Sequence, residues 1–203
     1  MPEPTQTTPD HHPSPPPAVW RWLGIGAVAL LLTSVVAIAL ISAGTFDPQP
    51  VGELIETRNL APVAVAGGEM RLEWLNLPLD DGDFTLRLTG AGAHPDAHYG
   101  LALGRPDDSL VVAVSPAGDV ALWRQQREGV DFILPWQPWA HVRKGGEANE
   151  IQIDVRGEQI GVRVNRELLW ERPAPASTAG VALLAASGGE PARINFQQLE
   201  LYR

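Results

Sequence analysis

The stretch that decides the fold is NEIQIDVRGEQIGVRVN, running from Asn149 to Asn165. Ile151, Ile153 and Val155 alternate with Gln152 and Asp154, while Ile160, Val162 and Val164 alternate with Gly161 and Arg163. A period of two places every second side chain on one face, which predicts two strands, each with one buried face. Arg156, Gly157 and Glu158 between them have the turn chemistry of a hairpin. Working outward, the same pattern recurs. Phe84, Leu86 and Leu88 alternate with Thr85 and Arg87. The segment Ser115 to Asp119 joins Leu110–Val114 to Val120–Trp123, with Pro116 pre-set for an early turn position and Gly118 supplying the permissive one. Near the end, Ile194 and Phe196 share one parity and Leu199 and Leu201 take the other, which predicts a bulge near Gln197 and Gln198. From about Glu53 to Arg203 no amphipathic helical stretch intervenes. Short strands with turn signals roughly every 8–12 residues predict an all-β sandwich or barrel.

The amino-terminal quarter has a different chemistry. Residues 1–18 hold seven prolines together with Ser, Thr, Gln and the pair His11 and His12. Such a stretch cannot bury enough apolar surface to order itself and reads as a disordered tail. From Trp22 to Phe46 there is no charged residue. The segment 19–44 is long enough to cross a hydrocarbon layer about 30 Å thick, and it exceeds the apolar region of a cleaved signal peptide, about 7–15 residues. Trp20 and Trp22 bracket Arg21, as side chains anchored at a membrane interface do. Arg21 is the only positive charge on that flank, whereas the other flank begins with Asp47, Glu53 and Glu56. The positive-inside bias therefore predicts a cytoplasmic tail, a single-pass helix in the cell membrane and an extracytoplasmic domain. Residues 45–52 form a short linker to a domain spanning 53–203.

The 203-residue chain has a formal net charge of -9, which argues against nucleic acid as a partner. It has no cysteine, which excludes disulfides, thiolate metal sites and Cys nucleophiles. Of its fifteen basic residues only Lys144 is lysine, a bias typical of a GC-rich bacterial genome.

Several phrases in order carry a family pattern: Tyr99 to Leu103, the hairpin through Pro116 and Gly118, then Ile133, Leu134 and Trp136. After them come Gly145, Gly146, Asn149, Ile151 to Gly157, Gly161 to Asn165, Gly180 to Leu184 and the closing Ile194 to Tyr202. Over about residues 53–203 the chain resembles the concanavalin A-like lectin/glucanase superfamily, in its laminin-G-like and 3-keto-disaccharide hydrolase-like branch. The resemblance implies a two-sheet jelly-roll sandwich whose first and last strands pair, with a curved face able to hold sugars. Fold does not fix function.

The candidate sites divide by spacing. Glu150, Gln152 and Asp154 share the polar face of one strand, where the hydrolases of this superfamily carry a nucleophile and an acid. Gln152 replaces the central acid, and Glu150 and Asp154 stand about 13 Å apart on a regular strand. That exceeds the separation of a retaining or an inverting pair, so a solvated polar face is the better reading. Asp80, Asp81 and Asp83 around Gly82 are the only calcium candidates, in a run that is also a common surface turn. His94 and His98 flank Pro95 and read as loop residues without metal geometry. Trp136 and Trp139 are the candidate ligand-binding pair, since indole rings make apolar platforms for sugars, although large aromatics also cap cores. Trp74, Trp123 and Trp170 fall in strands. No catalytic set emerges, and calcium is the only cofactor considered. The expectation is a membrane-tethered binding or interaction module, with glycans or other envelope proteins as partners. Its alternatives are an accessory subunit of a larger membrane complex and a divergent glycoside hydrolase.

Overall fold

The computed structural model describes residues 17–42, 49–77, 79, 82–173 and 178–203. The expected disordered tail up to residue 16, the first half of the expected linker, and Asp80 and Asp81 lie outside them. The chain divides into two units, Met1–Asp47 and Pro48–Arg203.

The first unit contains the helix α1 (Pro17–Ser42). Proline at its first position is pre-set for helical backbone and lacks an N–H that would be unpaired there anyway. Within it Trp22–Ser42 is long and apolar enough to cross a membrane, a test that a signal sequence near the amino terminus also passes. Thr33 and Ser34 donate their hydroxyls to the carbonyls of Ala29 and Leu30, both at 2.9 Å, so neither presents a free hydroxyl.

The second unit is the expected sandwich of two antiparallel sheets. Sheet A contains β1 (Leu54–Asn59), β2 (Val63–Val65), β4 (Phe84–Gly92), β9 (Asn149–Arg156), β10 (Gln159–Val164), β11 (Glu167–Pro173) and β13 (Ala192–Tyr202). Its order is β1-β13-β4-β9-β10-β11, with β2 also paired to β13. Sheet B contains β3 (Met70–Leu75), β5 (Ala97–Arg105), β6 (Asp108–Val114), β7 (Asp119–Gln126), β8 (Gly129–Pro138) and β12 (Val181–Ser187), in the order β3-β12-β5-β6-β7-β8. The first and last strands pair, as the jelly-roll reading requires. Glu53 and Arg203 exchange backbone bonds of 2.8 and 2.9 Å just beyond that ladder.

The alternating apolar residues meet between the sheets. Leu86, Leu88, Ile151, Ile153, Ile160, Val162 and Val164 from sheet A face Leu101, Leu103, Val112, Leu122 and Val181 from sheet B, all 0% exposed. The register of β13 against β4 shifts between Phe196 and Gln198, the bulge that the change of parity predicts. The Ser115–Asp119 hairpin closes through Ser115 N–H to Asp119 O and Gly118 N–H to Ser115 O, both 2.9 Å. Gly118 adopts a φ of 100°, which its missing side chain permits.

Asn149 is one of the buried polar residues of this frame, at 0% exposure. Its amide donates to Tyr99 Oη at 2.9 Å and to Arg143 O at 3.0 Å, while its oxygen accepts from Arg143 N at 2.7 Å and Asn165 Nδ2 at 2.7 Å. Asn165 and Arg166, with φ of 50° and 74°, form the two-residue turn between β10 and β11. Asn149 therefore ties the loop from β8 to β9, the adjacent turn and the Tyr99 phenol into one knot. Replacing Asn149 with Ala leaves the buried Tyr99 hydroxyl without this partner, at about 1–3 kcal/mol, and removes both bonds to the Arg143 backbone, while Asn165 Nδ2 keeps His141 O. The expected loss is about 3 kcal/mol in urea unfolding with an unchanged m-value, against a near-neutral Glu147→Ala.

Candidate functional site

The outer faces of the two sheets differ in chemistry. On sheet A, Arg87, Gln152 and Arg163 are cross-strand neighbours. Arg87 Nε lies 3.6 Å from Glu150 Oε2, its Nη1 lies 3.4 Å from Glu200 Oε2, and its guanidinium stands 5.2 Å from the centre of the Tyr202 ring. Asp154 Oδ1 accepts from Thr85 Oγ1 at 2.6 Å and Gln152 Nε2 at 2.8 Å, and Asp154 Oδ2 is 3.4 Å from Arg163 Nε. Gln152 and Asp154 are 1% and 5% exposed. The solvated face expected from the alternation is therefore corrected. The long side chains of Arg87 and Arg163 flank Gln152 in register and take the place of water. Glu150 and Asp154 are each held by a different arginine.

The outer face of sheet B is apolar. Its register sets Trp74, Ala182, Ala102, Val111, Trp123 and Phe132 in one row across all six strands. Beside it runs a second row of Leu72, Leu184, Gly100, Ala113 and Ala121. The floor is made of small residues, and Ala102, Val111, Ala113 and Ala121 are fully buried. Gly100 can only be glycine, because a Cβ there would lie 1.8 Å from the Val112 carbonyl oxygen.

Aromatic rings wall the β7–β8 side. Two irregularities in the β7–β8 register insert extra residues into β8. Such bulges re-aim side chains. Trp136 stacks on His98 with ring centres 4.5 Å apart and stands 6.5 Å from Trp123, which in turn lies 5.9 Å from Phe132. Trp136 and Phe132 remain 37% and 50% exposed. Among the described residues no Asp, Glu, Lys or Arg belongs to these rows. At one end Ser109 and Gln125 are direct cross-strand partners, and Ser109 Oγ, Gln125 Oε1 and Trp123 Nε1 are buried without a hydrogen-bond partner. Arg87 Nε, Glu150 Oε1 and Arg163 Nε of sheet A are likewise buried without a hydrogen-bond partner, so what sets the two outer faces apart is charge on one and exposed aromatic rings on the other.

Trp136 and Trp139 sit on different surfaces: Trp136 on this face, Trp139 against the core between the sheets. His98 is not a loop residue but lies in β5, stacked on Trp136, whereas His94 Nδ1 accepts from Asp96 N in the preceding turn. Asp83 Oδ1 accepts from Gly157 N at 2.6 Å and so pins the β9–β10 turn. No group of three or more His, Asp or Glu able to hold a metal occurs among the described residues. Sequence reasoning missed the floor. Its trace was the unbroken apolar runs Leu110–Val114 and Val181–Ala186, which mark strands buried on both faces. On sheet A a shallow groove of about 300 Å³ is lined by Ala91, Ala93, Gly146, Arg193 and Asn195.

Together these elements define a jelly-roll sandwich preceded by one apolar helix, with an aromatic-walled face on its six-stranded sheet. No family model and no curated protein matches the chain. Solved structures similar in fold include the carbohydrate-binding module CBM66 from Bacillus subtilis, with 11% identity, 65% of this chain and 93% of that one covered, and a TM-score of 0.47. Galectin LEC-6 of Caenorhabditis elegans has 18% identity, with 77% and 94% covered and a TM-score of 0.42. The alginate lyase AlgAT5 from polysaccharide lyase family 7 has 13% identity, with 69% and 76% covered and a TM-score of 0.47.

Burial pushes the His98 pKa down, against the smaller upward pull of Asp96 and Asp119. A folded-state pKa below the unfolded value means that the unfolded chain binds more protons, so this contribution is complete above the ordinary value of 6.5 and is lost as pH falls below it. The thermal midpoint is expected to fall between pH 7.5 and 5.5 by less in His98→Asn than in the wild type. An equal fall in both would place the acid sensitivity elsewhere.

Proposed function

We propose that this protein is a non-catalytic glycan-binding module, tethered to the membrane by α1 and held outside the cytoplasm, with the outer face of sheet B as its binding surface. The observation that carries the reading is the wall of Trp123, Phe132 and Trp136 over a floor of Ala and Gly, with the Trp136 and Phe132 rings open to solvent. A sugar ring offers its C–H groups to an aromatic face, so the exposed rings find a match. The absence of charged side chains in the two rows favours a neutral glycan over a uronate or sialylated one. Binding rather than hydrolysis is favoured because Glu150 and Asp154 stand on the opposite sheet, engaged by Arg87 and Arg163. Arg21 on the amino-terminal flank supports the outward orientation of the domain.

Full-length protein in nanodiscs, tested against a panel of neutral polysaccharides, is expected to bind at least one of them, and Trp136→Ala to weaken that binding at least tenfold. Trp139→Ala is expected to lower stability while leaving the affinity of the folded fraction unchanged. Undiminished binding by Trp136→Ala overturns the assignment of the face, and no binding to any glycan redirects the reading to an apolar protein surface in a membrane complex. Protease added to intact cells is expected to cleave the sandwich, and its protection would reverse the orientation.

A further inference from the structure

A sheet edge exposes unpaired backbone groups, and proteins blunt such edges with bulges, prolines or short strands unless the edge is used. Three of the edges here are blunted. In β1 the register slips between Leu54 and Glu56, and its neighbour β2 spans only Val63–Val65. In β11 an extra residue interrupts pairing opposite Val162 and Arg163, and the strand ends at Pro173. In β8 two irregularities accompany Pro135 and Pro138. The remaining edge, β3, makes six unbroken pairs with β12 from Met70 to Leu75 and contains no proline. No described strand pairs with its other side.

We infer that β3 is a self-association edge, pairing antiparallel with β3 of a second copy of this chain about a two-fold axis at Leu72. The sequence MRLEWL is self-complementary in that register and in no neighbouring one. With Leu72 opposite the partner's Leu72, Arg71 faces the partner's Glu73, Glu73 faces the partner's Arg71, and Met70 faces the partner's Trp74. Opposite charges and a sulfur–aromatic contact are favourable cross-strand pairs. Centring the axis on Glu73 sets glutamate against glutamate, and centring it on Arg71 sets arginine against arginine, both unfavourable. Arg71 and Glu73 lie 4.0 Å apart within one strand, with side chains 54% and 46% exposed, so both are free to swing to a partner. An isologous interface of this kind closes after two copies. It joins the six strands of each sheet B into one sheet and brings the two Trp74 ends of the apolar rows together. It depends on the free edge alone and holds whether or not the face binds a glycan.

The chain has no cysteine, so single introduced thiols report the register directly. Opposed residues of antiparallel strands have Cα atoms about 4.5–5.5 Å apart, within the span of a disulfide. Full-length Leu72→Cys under mild oxidation is expected to form a covalent dimer. Met70→Cys and Trp74→Cys are expected to cross-link when mixed and not when alone. In sedimentation of the full chain without thiols, Arg71→Glu is expected to weaken dimerisation about tenfold, and Arg71→Glu/Glu73→Arg to restore it. The inference is overturned if Leu72→Cys cross-links no more than Leu168→Cys on the β11 edge, or if the single and double charge variants dimerise alike.

Discussion

Sheet B has to be apolar on both faces, and the rest of the molecule is arranged around that constraint. Its inner face closes the core against sheet A, while its outer face presents a second apolar layer centred on Ala102, Val111, Ala113, Ala121 and Leu184. A sheet packed on both sides usually has a layer of helices over the second side. Here small residues and Gly100 keep the floor low, and tryptophans at its margins stand above it. The outer face is thereby a shaped surface rather than an aggregation-prone sheet of valines and leucines.

That surface depends on ties made elsewhere in the sandwich. Pairing β13 between β1 and β4 brings the two ends of the domain to one place and leaves sheet B free of chain termini. The Asn149 knot holds the segment that crosses from β8 to β9, so the strand bearing Phe132 and Trp136 is anchored at its exit. On the opposite face, Arg87 and Arg163 hold Glu150, Glu200 and Asp154 in ion pairs, with Arg87 Nε, Glu150 Oε1 and Arg163 Nε buried without a hydrogen bond. One outer face is charged, whereas the other is apolar and walled by aromatic rings.

Much of the fold was legible because it rests on local rules. The alternation in Ile151–Val155 and Ile160–Val164, the Ser115–Asp119 turn and the parity change near Gln197 each follow from the period of two or from turn chemistry. The site was less legible. Trp136 and Trp139 are near neighbours in sequence, and only the bulges of β8 and the turn after it send them to different surfaces. His98 sits next to a proline-containing turn, which concealed its place in a strand. Gln152 and Asp154 alternate like solvated residues, yet arginines from adjacent strands bury them, and no local pattern encodes which strands become adjacent.

By itself the sequence determined the apolar helix, the all-β character of the remainder and the places where strands turn. These depend on a residue and its near neighbours, where sterics and hydrophobic periodicity act. The tertiary structure alone decided which strands meet, and hence that Trp74, Ala102, Val111 and Trp123 share one row and that Arg87 lies between Glu150 and Glu200. It also decided that β3 is left as the regular edge. Those outcomes come from long-range pairing, in which residues far apart in the chain become neighbours because their strands share a ladder.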